Sequence, residues 1–141
     1  MTARILLEVV TPEKFVVSEG TQYVAAPGIE GEFGVLPGHT PFLSQLKVGS
    51  LRYKDEKGEE RCVFINGGFA EVLPDKVTVL AETAERRCDI DLGRARAAMD
   101  RAVKRLEEHK EGTDFDRAKE ALLRAQTRVS LYESRKLSHM Q

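Results

Sequence analysis

The sequence predicts an α+β protein, in which an N-terminal antiparallel β-sandwich is followed by a C-terminal antiparallel two-helix hairpin. All five prolines and nine of the eleven glycines lie before residue 86, which favours many short strands joined by turns. Alanine, arginine and glutamate dominate the remaining residues and favour helix. The formal charge changes from −5 over residues 1–85 (8 basic, 13 acidic) to +4 over residues 86–141 (14 basic, 10 acidic). We therefore expect a sandwich domain over residues 1–86 and a helical domain over residues 87–141.

Nine segments of the first domain are predicted to be strands. Each is rich in β-branched or aromatic residues and is bounded by glycine, proline or aspartate. Strands this short and closely spaced are typical of a sandwich or barrel, which closes or covers its edges. The predicted strands are Ile5–Val10, Phe15–Val17, Gln22–Ala26, Gly34–Leu36, Phe42–Leu46, Gly49–Tyr53, Arg61–Asn66, Phe69–Leu73 and Val77–Glu82.

The segment from Gly31 to Pro41 contains three glycines and two prolines in eleven residues, which fix a bent backbone path. Glu32 and His39 are its only ionisable side chains. The segment has no GxGxxG pattern and no lysine of a phosphate-binding loop. It also lacks a serine, a cysteine or a second carboxylate that could work with His39, so catalysis by these two residues is disfavoured. A structural turn and a rigid loop that presents Glu32 and His39 to a partner both remain open.

Two amphipathic helices are predicted in the second domain. Asp89 and Asp91 suit the N-terminus of the first helix, and Gly112–Asp114 ends that helix and caps the second. Such helices, of about 19 and 24 residues, would form a hairpin ~30 Å long whose narrow apolar seams bury little surface. The hairpin should therefore be able to leave any surface on which it lies. The seams are Leu92, Ala95, Met99, Ala102 and Leu106, and Phe115, Ala118, Leu122, Ala125, Val129 and Tyr132.

Arginines follow both helices at helical spacing. They could be a solvated face balanced by acidic neighbours, or a surface that grips phosphates or acidic helices. Nucleic-acid binding is disfavoured, because the only aromatic residues of this domain lie in the apolar seam. The arginines are Arg94, Arg101 and Arg105 in the first helix and Arg117, Arg124, Arg128 and Arg135 in the second.

Composition excludes several other classes. No apolar run approaches the ~18–20 residues that span a bilayer, and the N-terminus has no apolar stretch of signal-peptide length. Cys62 and Cys88 are isolated, so neither a disulfide scaffold nor a metal site is expected, and a reducing cytosol is the expected environment.

Several segments, in this order, resemble the epsilon subunits of bacterial F-type ATP synthases, and the resemblance covers essentially the whole chain. It implies a sandwich of about ten strands followed by two helices, in a non-catalytic subunit of the rotor's central stalk. Such a subunit couples proton-driven rotation to ATP synthesis and inhibits ATP hydrolysis through a movable hairpin. It is held peripherally at the cytoplasmic face of the bacterial inner membrane through the complex, and it requires no cofactor. The segments are Gly31–His39, Pro41–Leu43, Ile65–Val72, Val77–Glu82 and Ile90–Ala95.

The same resemblance implies roles for individual residues. Glu32 corresponds to a contact with the ring of c subunits, and His39 to a contact with the gamma subunit. The extended hairpin would meet the alpha/beta catalytic ring, and no nucleic acid is implied. Some members bind ATP as a regulatory ligand, although Gly93 weakens the first turn of this helix. The positions that match the ATP site are Glu85, Asp91, Arg94, Arg101, Arg124 and Arg128.

Overall fold

The structure is a computed structural model that describes residues 3–108, 112 and 114–134. The chain divides into two compact units, one from the N-terminus to Arg87 and one from Cys88 onward. Among the described residues, the first unit contains nine β-strands and the second contains two α-helices, with a short 3₁₀ turn over Arg87–Asp89. The predicted α+β class, a sandwich followed by two helices, is confirmed.

The strands follow one another in space as β1-β8-β7-β4-β2-β5-β6-β9, with β3 paired to β2 and with β1 also paired to β2. All pairs are antiparallel except β1 with β8. Strand β2 is 14 residues long and pairs with four other strands, β1, β3, β4 and β5. The strands are β1 (Ile5–Val10), β2 (Phe15–Gly28), β3 (Gly31–Val35), β4 (Phe42–Leu46), β5 (Gly49–Asp55), β6 (Glu60–Ile65), β7 (Gly68–Leu73), β8 (Lys76–Leu80) and β9 (Ala84–Arg86).

The core of the first unit follows from the alternation of side chains along these strands. In β1, Ile5, Leu7 and Val9 are fully buried, and the residues between them face outward. Most of the core is aliphatic, and Tyr53 is its largest fully buried side chain. The Tyr53 hydroxyl donates to a carboxylate oxygen of Glu19 at 2.9 Å. Burial, followed by this hydrogen bond, raises the pKa of Tyr53, so the phenol stays protonated.

A buried carboxylate organises the hairpin between β5 and β6. Asp55 accepts hydrogen bonds from the backbone N–H groups of Lys57 (2.9 Å) and Glu59 (3.0 Å) and from Nε of Arg61 (2.9 Å). Burial alone would raise the pKa of Asp55, but these hydrogen bonds and the Arg61 charge outweigh it and hold that pKa below its usual value. Asp55 thus fixes the connection between these two strands.

Three strand predictions need correction. The predicted strands Phe15–Val17 and Gln22–Ala26 are one strand, because Thr21 is buried and its hydroxyl donates to the Ile5 carbonyl at 2.8 Å, which keeps the polar middle paired to β1. The predicted strand Gly34–Leu36 is strand β3 with earlier bounds, because Gly31 to Val35 pair with the end of β2. Strand β9 was not predicted, and it brings the number of strands in the described residues to nine.

The second unit contains α1 (Leu92–Glu108) and α2 (Phe115–Glu133). Asp91 and Asp114 accept hydrogen bonds from the backbone N–H of Arg94 and Arg117, each at 3.0 Å, so both predicted N-terminal caps are confirmed. A hydrogen-bonded ion pair of 2.9 Å joins Nη2 of Arg96 to Glu133 and shows that the helices are antiparallel.

The predicted seam is correct for its alanines but not at every position. Ala95, Ala102, Ala118 and Ala125 are buried, as is Val129. Phe115, however, is exposed at the start of α2, and Leu131 is buried although it lies outside the predicted repeat. The remainder of the predicted second helix, including Arg135, lies outside the described residues.

Candidate interaction surfaces

The outer face of the β1-β8-β7 layer carries a line of large apolar side chains, here called the apolar row. Val10 lies opposite both Phe15 and Leu80, and Leu80 lies opposite Phe69, so the four residues form one line across β2, β1, β8 and β7. Phe15, Leu80 and Phe69 are 61%, 57% and 52% exposed. Scattered single apolar residues are normal on a surface, but a continuous line of them marks an interaction site.

A groove runs beside the apolar row. Its volume is about 530 Å³. An acidic line lies next to it, because Thr78 is opposite both Glu8 and Glu71 in the neighbouring strands. Nζ of Lys76 pairs with Glu8 at 2.7 Å, and this hydrogen bond raises the pKa of Lys76. Because Glu8 is paired with Lys76, the acidic border of the apolar strip is carried mainly by Glu71 and by Glu82 in the groove. The groove is lined by Val10, Thr11, Pro12, Gln45, Gly68, Phe69, Leu80, Ala81 and Glu82.

His39 lies in the loop between β3 and β4, where its ring packs against Phe42 with 6.1 Å between ring centroids. Gly38 adopts a positive φ of 86°, and its N–H donates to the Pro74 carbonyl at 2.7 Å, which holds the loop against the β7–β8 turn. Nδ1 of His39 lies 2.6 Å from the Thr40 carbonyl. Because a carbonyl only accepts, Nδ1 is the donor in this contact.

Glu32 lies near the start of β3, where its Oε1 accepts a hydrogen bond from Nη2 of Arg52 at 2.6 Å. This bond, more than the Coulomb attraction that accompanies it, raises the pKa of Arg52. The two side chains are 51% and 41% exposed, so the pair remains accessible to another molecule.

Glu32 and His39 belong to opposite sides of β3. Successive residues of a strand face opposite ways, so Glu32 and Phe33 point apart. Phe33 packs edge-to-face on Phe42 at 5.0 Å, on the same ring that His39 contacts, whereas Glu32 pairs with Arg52. Each residue thus has its own partner, an arrangement that suits two separate contacts better than one acid–base pair.

The hairpin places two of the predicted ATP-site arginines at the same height along the paired helices. Because Arg96 pairs with Glu133, Arg101, five positions later in α1, lies about level with Arg128, five positions earlier in antiparallel α2. Arg101 is exposed and Arg128 is half-buried.

The other predicted ATP-site residues are not level with this pair. Arg94 is exposed in the first turn of α1, where Asp91 already uses one oxygen as the helix cap. Arg124 is half-buried, one turn before Arg128. Glu85 belongs to the other unit, on β9, opposite Phe64.

Sequence reasoning missed the apolar row and the partner of Glu32. Each row residue looks like an ordinary outward-facing position in its own strand, and only the register between strands aligns them. Arg52 was passed over for the same reason, since it lies 20 positions from Glu32 in the chain.

No helix among the residues that the structure describes is long and apolar enough to cross a membrane. The same residues contain no group of three or more metal-ligating side chains. An exposed apolar row, together with two separate polar contact points, is typical of a subunit that works inside a larger assembly.

Comparison with known proteins agrees with this class. Residues 4–87 match the family described as ATP synthase, delta/epsilon chain, beta-sandwich domain, and residues 89–133 match the corresponding long alpha-helix domain. The ATP synthase epsilon chain of Desulfatibacillum aliphaticivorans is 67% identical over 141 residues, which is the whole of both chains. That of Nitratidesulfovibrio vulgaris strain Hildenborough is 58% identical over 129 residues, 92% of this chain and 96% of its own. This chain therefore belongs to the family of F-type ATP synthase epsilon subunits.

Solved structures show the same fold. A chain of the Euglena gracilis mitochondrial ATP synthase, in a structure of its OSCP, F1 and c-ring, superimposes with a TM-score of 0.78 at 27% identity, covering 89% of this chain and 79% of its own. A chain from the central stalk and c-ring structure of the Tetrahymena thermophila enzyme gives a TM-score of 0.53 at 15% identity, over 95% of this chain and 96% of its own, and supports the fold alone.

Proposed function

We propose that this chain is the epsilon subunit of the central stalk of a bacterial F-type ATP synthase, where it binds the gamma subunit and the c-ring and turns with them. It has no catalytic role of its own and couples rotation to ATP synthesis. The observation that carries the proposal is the identity of 67% to a bacterial epsilon chain over the full length of both proteins. Through the complex, the subunit is held at the cytoplasmic face of the inner membrane.

The gamma subunit docks on the apolar row and beside His39. The row offers Phe69 and Leu80, each more than half exposed, and burying such side chains is the main source of binding free energy in stable interfaces. The acidic border selects a partner surface with apolar residues flanked by basic ones. The other ring nitrogen of His39, Nε2, forms a hydrogen bond with the partner.

The c-ring contacts the opposite side of β3, where Glu32 is half exposed. A carboxylate at this position suits the polar loop of a membrane subunit, because charged hydrogen bonds are shorter and stronger than neutral ones. Separate faces allow one small domain to bridge two rotor components.

The helical hairpin regulates hydrolysis. Folded, it permits ATP hydrolysis; extended along gamma toward the alpha/beta ring, it blocks rotation in the hydrolytic direction. The basic charge of residues 86–141 supports contact with acidic segments of the catalytic subunits. ATP binding to the folded hairpin would favour the retracted form by mass action, with Arg94, Arg101, Arg124 and Arg128 holding the phosphates.

The test is a titration of an F-type ATPase that has been stripped of its epsilon subunit. Full-length protein and residues 1–86 are added separately, and both binding and ATP hydrolysis are measured. We expect both forms to bind and only the full-length protein to inhibit. If neither form binds, the assignment to the central stalk is wrong. Binding of both forms without inhibition would leave the stalk role intact and remove the role of the hairpin as an inhibitor.

A further inference from the structure

The pair of Glu32 and Arg52 is built across three strands. Gly34 in β3 and Arg52 in β5 both lie opposite Ala25 in β2, and Glu32 is two positions before Gly34 on the same face of β3. The Arg52 side chain therefore reaches across Ala25 to place Nη2 at 2.6 Å from Oε1 of Glu32. The register of three strands, rather than sequence proximity, brings the two groups together.

Small residues leave this path across the sheet open. Ala25 carries only a methyl group, and Gly34 carries no side chain. A Cβ added at Gly34 would lie 3.0 Å from the hydroxyl of Tyr23, so Tyr23 already occupies the space beside this position. With Tyr23 on one side and a clear path on the other, the guanidinium is directed toward Glu32.

The Glu32–Arg52 pair has hydrogen-bond donors and acceptors that its own bond does not use. A guanidinium has five N–H donors and a carboxylate accepts at about four positions, and the bond between them uses one of each. The two side chains are 41% and 51% exposed. Since their charges cancel, the pair attracts a lone cation only weakly, but it matches a surface that supplies a donor and an acceptor side by side.

We propose that Arg52 is a positioning residue for the Glu32 carboxylate. The c-ring surface that binds this pair presents both a hydrogen-bond donor and an acceptor rather than a single cation. The inference rests on the proposed contact between Glu32 and the c-ring. Arg52 holds Oε1, so that Oε2 faces the donor of the partner, and the remaining N–H groups of Arg52 face its acceptor.

The test is a double-mutant cycle on binding of the full-length chain to an ATP synthase that retains gamma and the c-ring but lacks its epsilon subunit. The variants are Glu32→Gln, Arg52→Gln and the two combined. Lys54→Gln is the matched control, because Lys54 is exposed on the same face of β5, two positions from Arg52. It removes the same charge without touching Glu32.

We expect Glu32→Gln and Arg52→Gln each to raise the Kd roughly two- to ten-fold, the range of one hydrogen bond. The combined variant should bind more weakly than either single variant, but by less than the product of the two losses. Arg52→Lys should recover part of the loss, and Lys54→Gln should stay within about two-fold. If Arg52→Gln behaves like Lys54→Gln, or if the two losses multiply, Arg52 does not position Glu32, although the Glu32 contact stands. If Glu32→Gln has no effect, the contact itself is absent and both proposals fall.

Discussion

If the apolar row is a docking surface, the exposed area of Phe69 sets how much binding free energy its removal should cost. The side chain is 52% exposed, and a fully buried phenylalanine removes roughly 200 Å² from water, so about 100 Å² is available to a partner. At about 25 cal/mol per Å² this area is worth up to ~2.5 kcal/mol. Alanine keeps the Cβ, and only part of the free energy expected from a buried area appears as binding affinity. Phe69→Ala should therefore cost about 1–2 kcal/mol of binding free energy. The Kd for the stripped ATP synthase should therefore rise about five- to thirty-fold.

The assay is equilibrium binding of the full-length chain to this complex, with the urea midpoint of each variant measured in parallel. The midpoint should be unchanged in Phe69→Ala, because the ring points away from the core of the sandwich. Leu123→Ala is the control, since Leu123 is an apolar side chain of α2 that is 47% exposed and does not belong to the row. Its Kd should stay near that of the parent chain.

Two results would refute this reasoning. If Phe69→Ala and Leu80→Ala both bind as tightly as the parent chain, the apolar row is not the docking surface for gamma. If the urea midpoint of Phe69→Ala falls along with the affinity, the ring contributes to folding, and its outward placement is wrong.

Three further predictions concern stability and ligand binding. Asp55→Ala should lower the free energy of unfolding by about 2–3 kcal/mol in urea titrations at neutral pH, because three hydrogen bonds of roughly 1 kcal/mol each are lost. Burial opposes but does not overcome the hydrogen bonds that lower the pKa of Asp55, so the stabilisation by Asp55 is fully present above about pH 4. It should be lost as the pH falls through the pKa of Asp55 in the folded state. In acid, the free energies of unfolding of Asp55→Ala and of the parent chain should therefore converge. Arg96→Glu should lower the melting temperature of the helical signal only slightly, since a half-exposed pair is worth well under ~1 kcal/mol, and adding Glu133→Arg should restore it; failure of this restoration would show that the pair does not join the helices in solution. Arg101→Ala should weaken calorimetric binding of ATP to the isolated chain more than Arg105→Ala does, and equal effects would remove Arg101 from the proposed site.

Local patterns in the sequence were sufficient to predict those elements whose bounds depend only on neighbouring residues. The strand at Phe42–Leu46 was predicted with its observed bounds, and the caps at Asp91 and Asp114 follow from residue type and the helices after them. These features depend on neighbours within a few positions, so a single sequence contains what determines them.

Features that depend on distant strands could not be predicted in this way. The polar middle of β2 reads as a turn until its pairing with β1 is known, and Thr21 is buried only because of that pairing. The apolar row and the bond between Glu32 and Arg52 both require the register of several strands, which no local pattern specifies. The proposed binding partners follow from the family resemblance, whereas the residues that form the candidate surfaces follow largely from the register.

The parallel pairing of β1 with β8 has a consequence for how the chain is made. Leu6 pairs with Lys76, 70 positions later, so the N-terminal strand cannot complete its pairing until almost all of the first unit has left the ribosome. Contacts this distant in sequence slow folding, and an unpaired strand edge is open to wrong partners in the meantime. Strand β2 can pair with β1 on its other edge much earlier, which holds the N-terminal strand as a hairpin while synthesis continues. The sandwich should therefore close late in translation, when the first residues of the helical unit are already being added.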